Sequence, residues 1–125
     1  MPSLFLVMLG GALGSAARYL TGKLALAWFG PAFPWGTLAV NLIGGLAMGL
    51  VAGSLVRLGE ASEPWRLLLA VGVLGGFTTF SSFSLELVTM LERGDWLLGI
   101  GYVLASVIGA AAAVAAGLGI ARGLA

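Results

Sequence analysis

The chain has 125 residues, 60% of them hydrophobic and only 9% charged, with six Lys+Arg against five Asp+Glu and a net charge of +1. Its mean hydropathy is +1.10. Soluble domains carry about 25% charged residues, and a short fold leaves much of its surface in water. The composition therefore excludes a soluble globular domain and a disordered chain. A small integral membrane protein remains. With no Cys and no His, thiol catalysis, Cys/His zinc sites, haem on either residue and His-based proton relays are excluded. A net charge of +1 without a basic run gives no field for nucleic acid. No nucleophile–base pair or metal cluster can be assembled, so enzyme chemistry has no support.

Charges punctuate four apolar segments. The first carries no charged side chain from Met1 to Ala17, then meets Arg18 and Lys23 before the apolar stretch Leu24 to Phe29. It reads as a span over about 2–28. A secretory signal with a small-residue cleavage site at Gly14-Ser15-Ala16-Ala17 is the alternative, although the segment has no basic start. Gly30-Pro31 and Pro34 mark a turn. Trp35 to Val56 is an uncharged run of 22 residues, predicting a second span over 35–57. Arg57, Glu60, Glu63, Pro64 and Arg66 form a polar hinge. A third span over 65–91 and a fourth over 96–121 follow, separated by Glu92, Arg93, Gly94 and Asp95. Trp28, Trp35, Trp65 and Trp96 all stand at span ends, where aromatic belts form. The expected architecture is one all-α domain, residues 1–125, of four transmembrane helices.

The loops give that domain no preferred orientation. One side holds Arg57, Arg66 and Arg122; the other holds Arg18, Lys23 and Arg93. A three-against-three tie leaves the positive-inside rule nothing to act on. Such a chain inserts both ways, and two opposite copies pair about an axis in the membrane plane, as inverted repeats do within one chain. An antiparallel, dual-topology homodimer of eight helices is the expectation.

Several polar residues lie where lipid should forbid them. Gly75 is about nine residues past Arg66, roughly 14 Å into the third span and near the bilayer midplane. It opens Gly75-Gly76-Phe77-Thr78-Thr79-Phe80-Ser81-Ser82-Phe83-Ser84. Two glycines and two β-branched threonines weaken a helix there. Either the span breaks and lines a cavity, its freed carbonyls able to hold a cation, or small residues make a packing face with hydroxyls bonded back to the preceding turn. Phe77, Phe80 and Phe83 recur at i, i+3 and i+6, a slowly rotating stripe on a helix. They face lipid, or offer positive ring edges that hold an anion weakly enough for it to leave. Asn41 is the only Asn; its amide either bonds across helices or points donors into an anion pathway. Gly45 and Gly49 fit a close-contact GxxxG pattern. Glu86, about seven residues from Arg93 and so roughly 10 Å inside the interface, reads on depth as a snorkelling carboxyl; a hydroxyl acceptor or a proton-coupling acid are the other readings. Arg18, with Lys23, ends the first helix at the headgroups or draws anions to a vestibule. Tyr102 and Ser106, at i and i+4, share one face of the fourth span, as a packing pair or a polar strip.

Three runs, in this order, resemble the Fluc/CrcB family of fluoride channels: Gly10-Gly11-Ala12-Leu13-Gly14-Ser15-Ala16-Ala17-Arg18-Tyr19, Gly36-Thr37-Leu38-Ala39-Val40-Asn41-Leu42-Ile43-Gly44, and Gly75 to Ser84 running on to Glu86. The resemblance covers essentially the whole chain. It implies a passive, fluoride-selective channel in the prokaryotic plasma (inner) membrane, exporting fluoride through two pores of an antiparallel homodimer. It implies a third helix broken at its centre. There, carbonyls matching Gly75 and Thr78 from both chains hold one structural, non-transported Na+. It further implies that residues matching Phe80 and Phe83 line the pores and that Asn41 contacts the ion path. Ser81, Ser82, Glu86, Tyr102 and Ser106 match a polar track, and Arg18 lies near a vestibule. Ala110 departs from members that carry a hydroxyl one turn beyond Ser106, and Ser82 stands where some members carry Thr. Fluoride itself follows from the resemblance alone; nothing in composition or spacing distinguishes it from another small anion.

Two other classes are the rivals. Small drug–proton antiporters are also four-helix, dual-topology chains, but use a membrane carboxylate in the first helix, which has none here. A structural subunit without transport has no need of an Asn, a broken helix and a hydroxyl–phenyl ladder at depth.

Overall fold

The computed structural model describes residues 2–123. The ends of the expected 1–125 domain, Met1, Leu124 and Ala125, lie outside the described residues. Among those described the chain is all helical, without strands. Helix α1 covers Pro2–Phe29 and α2 covers Trp35–Leu55. A 3-10 connection, Val56–Ser62, leads to the single turn α3 (Glu63–Trp65) and a π-helical stretch, Arg66–Leu74. Then come the short α4 (Gly75–Phe77), α5 (Ser81–Glu92) and α6 (Trp96–Gly123). Three helical stretches are long and apolar enough to cross a membrane: Pro2–Phe29, Trp35–Glu92 and Trp96–Gly123. The middle one, 58 residues long, is more than twice the roughly 20 residues of one crossing. It is not a single rod. Gly59, at φ 58° and ψ −128°, interrupts it, and α2 packs against the π-helical stretch that follows. The molecule is a multi-pass membrane protein.

Local chemistry sets the turns. Gly30 and Gly94 adopt φ of 75° and 85°, the left-handed region that glycine enters without steric cost. At the end of α5 the Gly94 N–H donates to the Leu91 carbonyl and the Asp95 N–H to the Met90 carbonyl, closing the helix before α6 begins.

Two small-residue seams hold the helices. Gly45, Gly49 and Gly53 of α2 lie on the backbone of α6; an added Cβ at Gly45 would sit 2.9 Å from the Ala110 carbonyl, and one at Gly49 would run into that of Val114. The GxxxG pattern thus marks a real contact. On the other side, α1 lies on the segment from Leu68 to Phe77 through Gly10 and Gly14. Gly75 and Gly76 are themselves helical, and the interruption comes after them, at Thr78. Gly76 is small because α1 is close: a Cβ there would sit 2.7 Å from the Gly11 carbonyl.

The hydrophobic cluster is small: Leu38, Phe83, Met90 and Tyr102, with Phe33, Leu42, Leu87 and Val103 against it. Many large apolar side chains face outward, including Leu13, Trp28, Val56 and Leu97. In water this surface would drive aggregation; in a bilayer it is the solvent-facing surface.

Candidate functional site

The site begins where the Glu63–Glu92 segment stops being helical. Thr78 turns to extended backbone, φ −84° and ψ 158°, and α5 starts again at Ser81. Thr78 closes the first half upon itself, donating to the Leu74 carbonyl from its N–H at 3.0 Å and its Oγ1 at 2.9 Å. Thr79 opens the second half: its Oγ1 accepts the Ser82 N–H at 3.2 Å and lies 3.4 Å from the Ser81 hydroxyl. The two threonines therefore act as end caps for two half-helices.

Helices α1 and α2 supply the remaining partners. Asn41 on α2 meets the Thr79 peptide groups with both ends of its amide. Its Oδ1 accepts the Thr79 N–H at 2.9 Å and its Nδ2 donates to the Thr79 carbonyl at 3.0 Å. Of the readings open for Asn41, the structure has the cross-helix bond, made to backbone. Arg18 on α1 donates from Nε to the Gly76 carbonyl at 3.1 Å. This corrects the reading in which Arg18 and Lys23 end the first helix at the headgroups, because α1 continues to Phe29 and Arg18 turns inward. The Gly75 and Thr78 carbonyls have no backbone N–H partner among the described residues. In a continuous helix Gly75 would receive the Thr79 N–H, which Asn41 holds instead.

The phenylalanines do not form the expected single stripe, because the break falls between Phe77 and Phe80. Phe77 is half-buried, Phe80 is 78% exposed and Phe83 only 7%. The Phe80 and Phe83 rings still touch, centroids 5.7 Å apart and tilted by 41°. Phe83 continues to Tyr102 at 5.0 Å, and Tyr102 to Phe33 at 5.2 Å. Phe80 and Phe83 line an apolar groove of about 360 Å³ with Asn41, Thr78, Thr79, Ser106 and Ala110. Ser106 lines that groove, and its hydroxyl is buried without a hydrogen-bond partner among the described residues.

Glu86 is not a snorkelling side chain. It is half-buried, with Oε2 accepting from the Thr37 hydroxyl at 3.0 Å and Oε1 from the Tyr102 hydroxyl at 2.9 Å. Of the three readings open for it, the hydroxyl acceptor is the one observed. Thr37, inside the Gly36–Gly44 run and without a local signal of its own, brings its hydroxyl to this cluster. The i, i+4 pair Tyr102 and Ser106 is buried but divided in use, with Tyr102 on Glu86 and Ser106 in the groove.

Two further depressions flank the break. One, of about 270 Å³, is lined by Arg18, Lys23, Thr37, Thr79 and Ser82 among others. The next, of about 430 Å³, is bounded by Thr37, Glu86, Thr89, Arg93 and the Gly30–Trp35 turn. Thr79 is common to the apolar groove and the first depression, and Thr37 to the first and the second. Thr79 and Thr37 are thus the residues that neighbouring hollows share. Ser81 lies outside these linings; its contact is with Thr79. Together the hollows offer hydroxyl donors and aromatic rings, with Arg18 and Lys23 in the lining of the first depression.

Comparison with known families decides the class. The family model described as "CrcB-like protein, Camphor Resistance (CrcB)" matches residues 5–118. The chain belongs to the CrcB family. A relative from Sphingopyxis alaskensis named "Fluoride-specific ion channel FluC" is 56% identical over 118 residues, 94% of each chain. Proteins of the same name from Phenylobacterium zucineum and a Caulobacter species are 54% and 56% identical over 123 residues. These alignments take in 98% of this chain, and 97% and 96% of the two relatives. The CrcB match contains every part of the site, from Arg18 through Asn41 and the broken segment to Ser106. The CrcB relatives' shared name is that of a channel, not an enzyme.

Proposed function

We propose that this protein is a passive fluoride channel, moving fluoride out of the cell across the prokaryotic inner membrane. The observation that carries the reading is the mid-segment break held open by Asn41, with Phe80 and Phe83 on one side and the Thr79, Ser82 and Thr37 hydroxyls on the other. Its class comes from the CrcB membership and from relatives named fluoride-specific channels. Fluoride is small and strongly hydrated, so a pathway must replace its water with several donors at close range. The pathway we infer passes Phe80 and Phe83, and then Thr79, Ser82 and Thr37. Asn41 acts by holding the Thr79 backbone, and its second amide hydrogen remains for the ion. Glu86 keeps the Thr37 and Tyr102 hydroxyls oriented. Arg18 lies beside the depression that serves as vestibule. Selectivity is steric and dehydrative: a bulkier, weakly hydrated chloride gains less from the same donors.

The chain crosses the membrane four times in this reading, folded back at Gly59, and works as an antiparallel pair. Support comes from the balanced loop charges and from the exposed apolar surface. A structural Na+ at the pairing axis is part of the same proposal. The Gly75 and Thr78 carbonyls fit it, since both lack a backbone donor and carbonyl oxygen is a ligand for hard cations. Such an ion, bound by both copies, supplies positive charge that compensates converging carbonyl dipoles.

The test is efflux from liposomes reconstituted with the full chain, read with a fluoride electrode beside chloride-loaded vesicles. Rapid fluoride release without chloride release is expected. No release of either ion from protein shown to be dimeric would overturn the channel.

A further inference from the structure

Arg18 has a partner that an anion-gathering cation does not need. Its Nε donates to the carbonyl of Gly76, 58 residues away in sequence, at 3.1 Å. In an unbroken helix that carbonyl would accept the Phe80 N–H. The extended Thr78 carries that N–H away, and Arg18 takes its place. Along α1, Gly10, Gly14 and Arg18 recur every fourth residue and so share one face. At the two glycines the face is bare and the partner segment lies directly upon it: an added Cβ would sit 2.8 Å from the Val73 nitrogen at Gly10 and 2.9 Å from that of Phe77 at Gly14. One turn further, where the segment leaves the helix, the face carries a long side chain with a charged donor.

From this register we infer that Arg18 is a positioning residue for the broken segment. It holds the last peptides of the first half-helix from α1, as Asn41 holds Thr79 from α2, so that Thr78–Phe80 leave the helix in one fixed direction. Charge-assisted bonds to a carbonyl are the strong kind, and a freed carbonyl inside the membrane needs a partner. Lys23, five residues on, shows the contrast. It is exposed, its ammonium 5.8 Å from the centre of the Tyr19 ring, and remains free to act by charge alone.

The flux arm of the test rests on the fluoride-channel reading; the other arm does not. Arg18→Lys, Arg18→Gln and Lys23→Gln are made in the full chain and reconstituted. Lysine keeps the charge but not the planar guanidinium donor. Fluoride efflux is expected to fall about tenfold or more in both Arg18 variants, equally at low and high ionic strength. Any fall in Lys23→Gln should shrink as ionic strength rises. Amide hydrogen exchange of purified protein, followed by mass spectrometry over residues 76–84, should quicken in both Arg18 variants and not in Lys23→Gln. If Arg18→Gln gives no folded protein, Arg18→Lys carries both readouts. An Arg18→Lys channel as fast as the wild type, with Arg18→Gln slow only at low ionic strength, would make Arg18 a steering charge and overturn the proposal. Unchanged exchange in the Arg18 variants would overturn it as well. A wild type that passes no fluoride would sink the channel reading while the exchange result still decides Arg18.

Discussion

At the scale of single residues, the site is a set of exchanged hydrogen bonds. Asn41 satisfies one N–H and one C=O that a helix would otherwise satisfy, and interhelical bonds in membranes are worth about 1–2 kcal/mol each in model peptides. Asn41→Ala should therefore lower fluoride efflux from liposomes at least about tenfold. Asn41→Asp should do worse, because a carboxylate cannot donate to the Thr79 carbonyl and sets a negative charge beside an anion path. Thr37 and Tyr102 both donate to the Glu86 carboxylate. Thr37→Ala and Tyr102→Phe should thus be non-additive in efflux, with a coupling of about 0.5 kcal/mol or more in a double-mutant cycle; additivity would separate the two hydroxyls. Much of this chemistry was readable beforehand as residue types at improbable depth. The pairings were not. Thr37 and Glu86 lie 49 residues apart, and Arg18 and Gly76 lie 58 apart, and no local pattern encodes which hydroxyl a carboxyl will meet.

At the scale of helices, glycine is the architect of contact rather than of the break. Gly49→Ala and Gly14→Ala push a methyl into the facing backbone and should each cost about 1–3 kcal/mol. Gly119→Ala meets open space and should be neutral or stabilising by up to about 1 kcal/mol through helix propensity. Thermal unfolding in detergent, followed by gel filtration, separates the two classes. The run Gly75-Gly76-Thr78-Thr79 correctly marked the interrupted helix, but for a mixed reason. Gly76 is small for α1, and the threonines make the ends. Hydropathy located the helices through the charges between them. It could not reveal the π-helical stretch or the division of the phenylalanines, because both depend on which backbone groups find partners elsewhere.

At the scale of the whole molecule, orientation is an electrostatic quantity. The described chain carries the balanced loop charges while exposing apolar surface along its length. One added lysine should unbalance it. In the four-crossing reading, Glu92→Lys and Glu63→Lys add cations on opposite sides and should bias the chain toward opposite orientations. Either alone should lose fluoride efflux, and co-expression should restore it. Since the chain has no cysteine, a single cysteine placed in the Val56–Ser62 connection and labelled from one side reports orientation directly. Labelling unchanged by either lysine would show that loop charge does not set topology.

The interrupted helix also fixes an order of events in biogenesis. Helix α5 has 12 residues, about 18 Å of rise, against a hydrocarbon core about 30 Å thick. Neither half of the segment can span alone, and naked backbone at Thr78–Phe80 has no partner in lipid. The segment therefore has to enter the bilayer as one continuous rod and open afterwards, once α1 and α2 present Arg18 and Asn41. The functional conformation is then a product of docking rather than of insertion, so the newly inserted chain is closed until its neighbours have folded against it.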